Sequence, residues 1–373
     1  MSSPIIPFND FKRDPVELRR EQLKAVQDVI ESGWYVLGNN VKHFEQAWSS
    51  VCQSHGCVGV ASGLDALEIA LRGLGVGPGD EVITTPLTAF ATILAIQRVG
   101  AVPVFADIDA STACLDPASV ALCLSEKTVA VIVVHLYGRA ADLASLKGIC
   151  ERHEIHLIED CAQAHLAKFD HQPVGSFGSA AAWSFYPTKN LGALGDAGAI
   201  TSQNGDLLEF ARKFRNYGQT DRYHHDLAGQ NSRLDEMQAA ILSIRLAYLQ
   251  RWTAARRSIA MRYWENVTNS NIKHLQPPAS EEMHVHHLFV VLLPSTEARL
   301  SFQQHLKSSG VESLIHYPVC AHRQRSISTD FRISPASLKY AETHSETCVS
   351  LPINPYLTDQ EVDHVIASCN SWR

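Results

Sequence analysis

Short apolar runs alternate along this chain with stretches whose apolar residues recur every three to four positions. Glu81-Val82-Ile83, Ala101 to Phe105, Val129 to Val134 and Ile155 to Ile158 are brief, rich in β-branched residues and nearly unbroken by polar side chains. Strands buried on both faces read this way, and the intervening helical spacing makes repeated β-α-β units with a mainly parallel sheet the expected architecture. One helix is predicted to start at Ser62: serine is a good N-cap, Asp65 stands at the capping-box position, and Leu67, Ala70, Leu71 and Leu74 form its apolar face. Gly73 and Gly75 would close it. A longer helix is predicted from Ser232, with Asp235 three residues on, through Met237, Ile241, Ile244 and Tyr248 toward Arg256. Beyond Gln276-Pro277-Pro278 a fresh strand-like run, His287 to Leu293, begins what reads as a smaller α+β unit. The expected division is a large domain, 1–250, and a small one, 251–373.

Composition narrows the classes. The 373 residues are 45% hydrophobic and 19% charged, with 32 basic against 39 acidic side chains, an ordinary globular balance with no basic footprint for nucleic acid. Nine cysteines form no C-x-x-C pair, which together with the polar opening MSSPIIPFNDFKRD points to reduced thiols in the cytoplasm. No run of 18 apolar residues occurs, so no membrane span is expected.

In an open parallel sheet, ligands gather beyond the carboxyl ends of the strands. That rule selects Thr85, Thr88 and Phe90 after the first run, Glu159, Asp160 and Gln163 after the fourth, and Ser184, Tyr186 and Lys189 after Ala180 to Trp183. A lysine in a water-poor pocket loses part of its basicity and becomes a nucleophilic amine able to form a Schiff base. An aspartate at a strand end can pair with a protonated pyridine nitrogen, an aromatic ring can stack on a flat cofactor, and free amides at the Ser62 helix start can hold a phosphate. Pyridoxal 5′-phosphate has all four matching parts. The glycines at 192, 195 and 198 do not make G-x-G-x-x-G, and no G-K-[ST] occurs, so dinucleotide and P-loop readings fail on spacing.

Taken one at a time, these residues have plainer readings. Asp160 could cap the helix that follows, Ser184 and Asn231 are common turn residues, and Phe90 could be core. His284, His286 and His287 lie close together but lack further ligands at metal-site spacing, so no metal is expected. Cys161 reads as a small packing residue. Arg251, Arg256 and Arg257 read as a solvated or interface face, with contact to a nucleotide diphosphate as the alternative.

Seven stretches in order sharpen the picture: "SGWYVLG" (32–38), "GLGVGPGDEVI" (73–83), "IEDCAQAH" (158–165), "SFYPTKNLGALGDAGAI" (184–200), "GQNSRLDEMQAAIL" (229–242), "HYPVCAHRQ" (316–324) and "LPINPYLTDQEV" (351–362). Together they resemble the DegT/DnrJ/EryC1/StrS family of nucleotide-sugar aminotransferases. The resemblance implies the aspartate-aminotransferase-like fold (fold type I), with a mainly parallel seven-stranded sheet, a small C-terminal domain, and a homodimer with shared active sites. It implies that Lys189 carries the cofactor and moves the proton, Asp160 pairs with the pyridine nitrogen, Gln163 lies at the ring's hydroxyl edge, and Phe90 stacks on the ring. Ser184 with Gly63 and Leu64 would bind the phosphate, joined by Asn231 of the other subunit; Tyr35, His316, Tyr317 and His322 would approach the sugar substrate.

The implied reaction moves the amino group of L-glutamate, through the pyridoxamine form and with release of 2-oxoglutarate, to a keto sugar on a nucleotide. "SGLDAL" (62–67) and "YHHDLAGQNSRLDEMQAA" (223–240) look more like enzymes acting at C3 of a dTDP-3-keto-6-deoxyhexose than at C4. Amination at C4, or a non-catalytic cofactor-binding regulatory protein, are the alternatives, and Lys189 argues against a dehydratase of the same family. Three positions depart from the family pattern: Leu166 and Ala197 where glycine is usual, and Asn354 where histidine or glycine is frequent.

Overall fold

A computed structural model describes residues 5–327 and 330–373. Seven strands appear in the predicted alternation: β1 (Gly56–Val60), β2 (Glu81–Thr84), β3 (Val102–Phe105), β4 (Thr128–Val134), β5 (His156–Asp160), β6 (Ala180–Ser184) and β7 (Gly198–Ser202). They lie in the order β1-β7-β6-β5-β4-β2-β3, and a two-residue strand, Arg332–Ile333, adds an eighth beside β3. The sequence signal for that eighth strand is weak, because two residues carry no periodicity. The β2–β3, β2–β4, β4–β5 and β5–β6 pairs are parallel, whereas β7 runs antiparallel to both β1 and β6.

Burial on both faces explains the unbroken apolar runs. Ala130 and Ile132 of β4 pack with Ile158, Ala182 and Leu67 on one side, while Val131 and Val133 pack with Leu157, Trp183 and Trp48 on the other. The alanines of β6 leave room for the helix Gly63–Gly73, whose Ala70 meets Ala180. That helix starts where predicted, with Ser62 Oγ accepting from the Asp65 amide at 3.1 Å. The longer helix differs from expectation. It begins at Glu236 with Asp235 as N-cap, ends at Leu246, and a second helix runs Leu249–Asn266. Ser232 does not cap it: its hydroxyl accepts from Ala61 N at 3.1 Å and donates to Asp65 Oδ2 at 2.7 Å, joining two segments far apart in sequence.

In the C-terminal part, Phe289–Leu292 lies between Lys273–His274 and Cys348–Leu351 in an antiparallel sheet. Ile259, Tyr263, Phe302, Val349 and Val365 form a separate apolar cluster that also takes in Ile6, paired with Val311. No helix among the described residues is long and apolar enough to cross a membrane.

Candidate active site

The carboxyl ends of β2, β4, β5 and β6 open on one edge of the sheet, and Asp160, Gln163, Ser184 and Lys189 stand at or shortly after the ends of β5 and β6. Asp160, the last residue of β5, is buried. Its Oδ2 accepts from Thr92 Oγ1 at 2.9 Å and its Oδ1 from the Ala162 amide at 3.1 Å. Burial raises its carboxyl, while these two hydrogen bonds and the nearby Lys189 act the other way. Thr92, in the helix Phe90–Arg98, is itself fixed by Thr88, just before that helix, at 3.0 Å. Thr92 is a site residue the sequence reading missed; its spacing of four from Thr88 was the available signal.

Lys189 lies in a tight turn after β6, its amide donating to Tyr186 O at 2.8 Å. Its side-chain amine makes no hydrogen bond or ion pair with any described residue. Burial lowers it from its ordinary 10.5 to about 8, with Asp160 opposing. The turn is anchored by the next residue: Asn190 Nδ2 donates to Val285 O at 3.0 Å and its Oδ1 lies 3.1 Å from His287 Nδ1.

A third strand end supplies the floor. A Cβ at Gly63 would lie 2.8 Å from Ser184 Cβ, and one at Gly198 would lie 2.4 Å from the Ser62 carbonyl carbon and oxygen, so two glycines let helix start and sheet approach. The amides of Gly63 and Leu64 have no acceptor among the described residues, and they open beside Ser184 as an anion cradle.

Gln163 is buried and fully oriented, its Oε1 accepting from Tyr137 N at 2.6 Å and its Nε2 donating to Tyr317 Oη at 3.0 Å. Burial and Asp160 push the Tyr317 phenol up to about 12. His316 lies 2.8 Å from Ser350 Oγ, and burial, then Lys189, lowers it to about 4. Phe90 packs with Ile93, Phe105, Ala321 and Leu338. His322 rests 5.9 Å from the Phe105 ring and 3.0 Å from Glu342 Oε1. Tyr35 and Asn231 are exposed, tied by backbone contacts to Glu236 and Asn216, and no hydrogen bond or ring contact joins them to the Lys189 group.

Several neighbours prove structural. Glu159 points away from Asp160 and accepts from His135 Nε2 and the amides of Gly175, Phe177 and Gly178 at 2.7–3.0 Å. It stands with His135 and Cys161 in the one group of possible metal ligands among the described residues, but its oxygens are already taken up. His284 and His286 stack at 3.8 Å. Leu166 holds φ +72°, the left-handed region that glycine enters freely, which accounts for glycine being usual there. The expectation of a solvated or interface arginine face fails at Arg256, which is only 9% exposed, because its helix face turns inward against the Ile353 segment.

The sequence profile of the DegT/DnrJ/EryC1/StrS aminotransferase family matches residues 16–370. The chain belongs to that family. It is an aminotransferase, and several of the curated relatives it resembles are named for amination of dTDP- or UDP-linked sugars. It is 43% identical to a dTDP-3-amino-3,6-dideoxy-alpha-D-galactopyranose transaminase of Aneurinibacillus thermoaerophilus, over 99% of each chain. It is 40% identical to a dTDP-3-amino-3,4,6-trideoxy-alpha-D-glucose transaminase of Streptomyces venezuelae, over 99% of this chain and 97% of the relative. The crystal structure of S. venezuelae DesV in complex with a ketimine intermediate superposes with a TM-score of 0.94 at 40% identity, covering 99% of both chains. The PLP form of a sugar aminotransferase from Streptococcus pneumoniae, Spr1654, superposes with a TM-score of 0.88 at 27% identity and 98% coverage of both. The residues present fit that cofactor: a free amine with lowered basicity, a buried carboxylate near it, and open amides beside a serine.

Proposed function

We propose that this chain transfers the amino group of L-glutamate to the C3 keto carbon of a dTDP-linked 6-deoxyhexose, as a step in making an amino sugar, with pyridoxal 5′-phosphate as cofactor. The observation that carries the reading is the unpaired, partly desolvated amine of Lys189 near the buried Asp160, on the segment that follows Ser184, which itself lies against Gly63 at the helix start. The names of the two curated relatives, both 3-amino sugar transaminases, support C3 and dTDP.

When bound, the cofactor supplies an electron sink for the carbon that loses its proton. Lys189 Nζ would hold the cofactor and, as the free amine, would move the proton of the donor's α-carbon. A lysine near 8 is partly neutral at working pH, which suits both tasks. Asp160, whose carboxyl burial raises while the hydrogen bonds from Thr92 and Ala162 act the other way, would face the ring nitrogen and hold its proton. Phe90 would cover the ring, Gln163 would meet its hydroxyl edge, and Ser184 with the Gly63 and Leu64 amides would hold the phosphate.

Asn231 and Tyr35 are exposed here; Asn231 would act on the phosphate from the partner subunit of a homodimer, and Tyr35 would approach the substrate. His316, Tyr317 and His322 face the nucleotide-linked sugar. The chain divides into a large unit, 1–250, and a small one, 251–373; a mainly C-terminal apolar cluster around Tyr263, Phe302 and Val349 supports the division, and clusters such as that of Phe105, Ala321 and Leu338 join the two. Nine buried, unpaired cysteines support a cytoplasmic setting.

The test is visible absorbance of the protein with pyridoxal 5′-phosphate, wild type against Lys189→Ala, before and after L-glutamate. The wild type should show a long-wavelength cofactor band that glutamate abolishes with release of 2-oxoglutarate, and Lys189→Ala should not. Product analysis with 3-keto and 4-keto dTDP-hexoses then fixes the position; amination of the 4-keto sugar alone would remove the C3 assignment. Asn231→Ala should weaken cofactor retention, and unchanged affinity would sink the cross-subunit role.

A further inference from the structure

The cleft at Lys189 continues into a second hollow of about 130 Å³, whose lining includes Thr188, Arg256, His287, His316 and Asn354. The two share Asn9, Thr188, Arg256 and Asn354, with Lys189 on one wall and His316 on the other. Arg256 is the only ionised side chain of the second hollow, since burial keeps His287 and His316 neutral.

Arg256 is nine-tenths buried and has no acid partner among the described residues. Its Nη1 donates to Ile353 O at 2.9 Å and, more loosely, to His286 O at 3.4 Å; its Nε is buried without an acceptor, and Nη2 makes no hydrogen bond to a described residue. The acids near the joint opening are already neutralised: Asp14 by Arg245 at 2.8 Å and Asp10 by Arg13 at 3.2 Å. Burial lowers the guanidinium to about 10, so it stays a cation near neutral pH. A buried charge without a counter-charge is costly to keep in a fold, and two backbone carbonyls use only part of a five-donor fork. The missing negative charge is therefore one that a ligand brings.

We propose that Arg256 is the anion anchor of the substrate site and receives a carboxylate of the amino donor, placing the donor between Arg256 and Lys189. Two substrate oxyanions could reach it, a donor carboxylate or the diphosphate of the nucleotide sugar. One guanidinium in an otherwise uncharged hollow matches the single charge of a carboxylate, whereas a diphosphate calls for more than one cation. The identity of the donor rests on the transaminase reading; the anion site does not.

The experiment measures by calorimetry the binding of glutarate, a dicarboxylate with no amino group to react, and of dTDP, to the cofactor-loaded protein. Wild type is compared with Arg256→Met, Arg256→Lys and Asn354→Asp. The last keeps Arg256 in place and sets a competing carboxylate in the same hollow, and its side-chain oxygen can still accept from the Tyr356 amide as Asn354 does at 2.9 Å. Arg256→Met and Asn354→Asp should weaken glutarate on the order of 10- to 100-fold, Arg256→Lys less, with dTDP within about twofold of wild type, as expected for the loss of a charge-assisted hydrogen bond. Unchanged glutarate affinity in folded Asn354→Asp, no glutarate binding to wild type, or a loss confined to dTDP would each overturn the assignment. The absorbance response of the wild type to L-glutamate reports separately on the transaminase reading, so the two can fail independently.

Discussion

Replacing Lys189 by methionine, which keeps the length of the side chain and removes its charge, should make the cofactor-free protein more stable. Folding lowers this amine from 10.5 to about 8, mainly through burial. The lowering corresponds to about 3 kcal/mol, an upper limit because the side chain retains some exposure. The sign follows from proton binding. Between pH 8 and 10.5 the unfolded chain holds a proton at Lys189 that the folded chain has released, so wild-type stability gains from this residue as pH rises through that window. Below pH 8 both states are protonated and the full penalty applies. Methionine removes it at pH 7, and for 373 residues with an unfolding entropy of about 2.1 cal/mol/K per residue the gain is a rise in Tm of about 4 °C. The same burial leaves about one amine in ten neutral at pH 7, against about one in three thousand for an ordinary lysine, so the stability lost is linked to the reactivity gained. The assay is thermal unfolding of both proteins stripped of cofactor, at pH 7 and pH 10. A Lys189→Met protein no more stable than wild type at pH 7, or a gain as large at pH 10 as at pH 7, would refute the reasoning.

Thr92→Val removes one of the two hydrogen bonds on Asp160 and should weaken cofactor binding on the order of tenfold, with Thr92→Ser restoring it; equilibrium dialysis of the cofactor checks both. Gly198→Ala would push a methyl to 2.4 Å from the Ser62 backbone, so it should lower stability by about 1–3 kcal/mol and loosen the phosphate cradle, read by urea unfolding and by cofactor affinity. His165 is fully buried among Trp48, Trp183 and Phe185 with both ring nitrogens unpartnered, and burial, then Lys189, lowers it to about 3. The unfolded chain takes up a proton there below pH 6.5 that the folded chain refuses, so stability is lost as pH falls toward 3. His165→Leu should reduce that acid sensitivity, and an unchanged slope of stability between pH 6.5 and 4 would count against it.

The sequence by itself determined the alternation that makes a mainly parallel sheet, the helix start at Ser62, and the strand ends where Asp160, Ser184 and Lys189 stand. These follow from local periodicity, capping chemistry and the rule that ligands gather at carboxyl ends, none of which needs to know what packs against what. Only the tertiary structure decided that Thr92 clamps Asp160, that Tyr317 meets Gln163 across 154 residues, and that Ser232 ties Ala61 to Asp65 instead of capping a helix. It also decided which arginine of a basic stretch turns inward, because burial depends on the face a helix presents to distant partners and not on its own composition. Arg256 and Arg257 are neighbours in sequence and nearly alike in chemistry, yet of the two only Arg256 lines the cleft at Lys189, while Arg257 donates to His284 O at 3.0 Å and lines a different hollow beside Leu166 and Lys168.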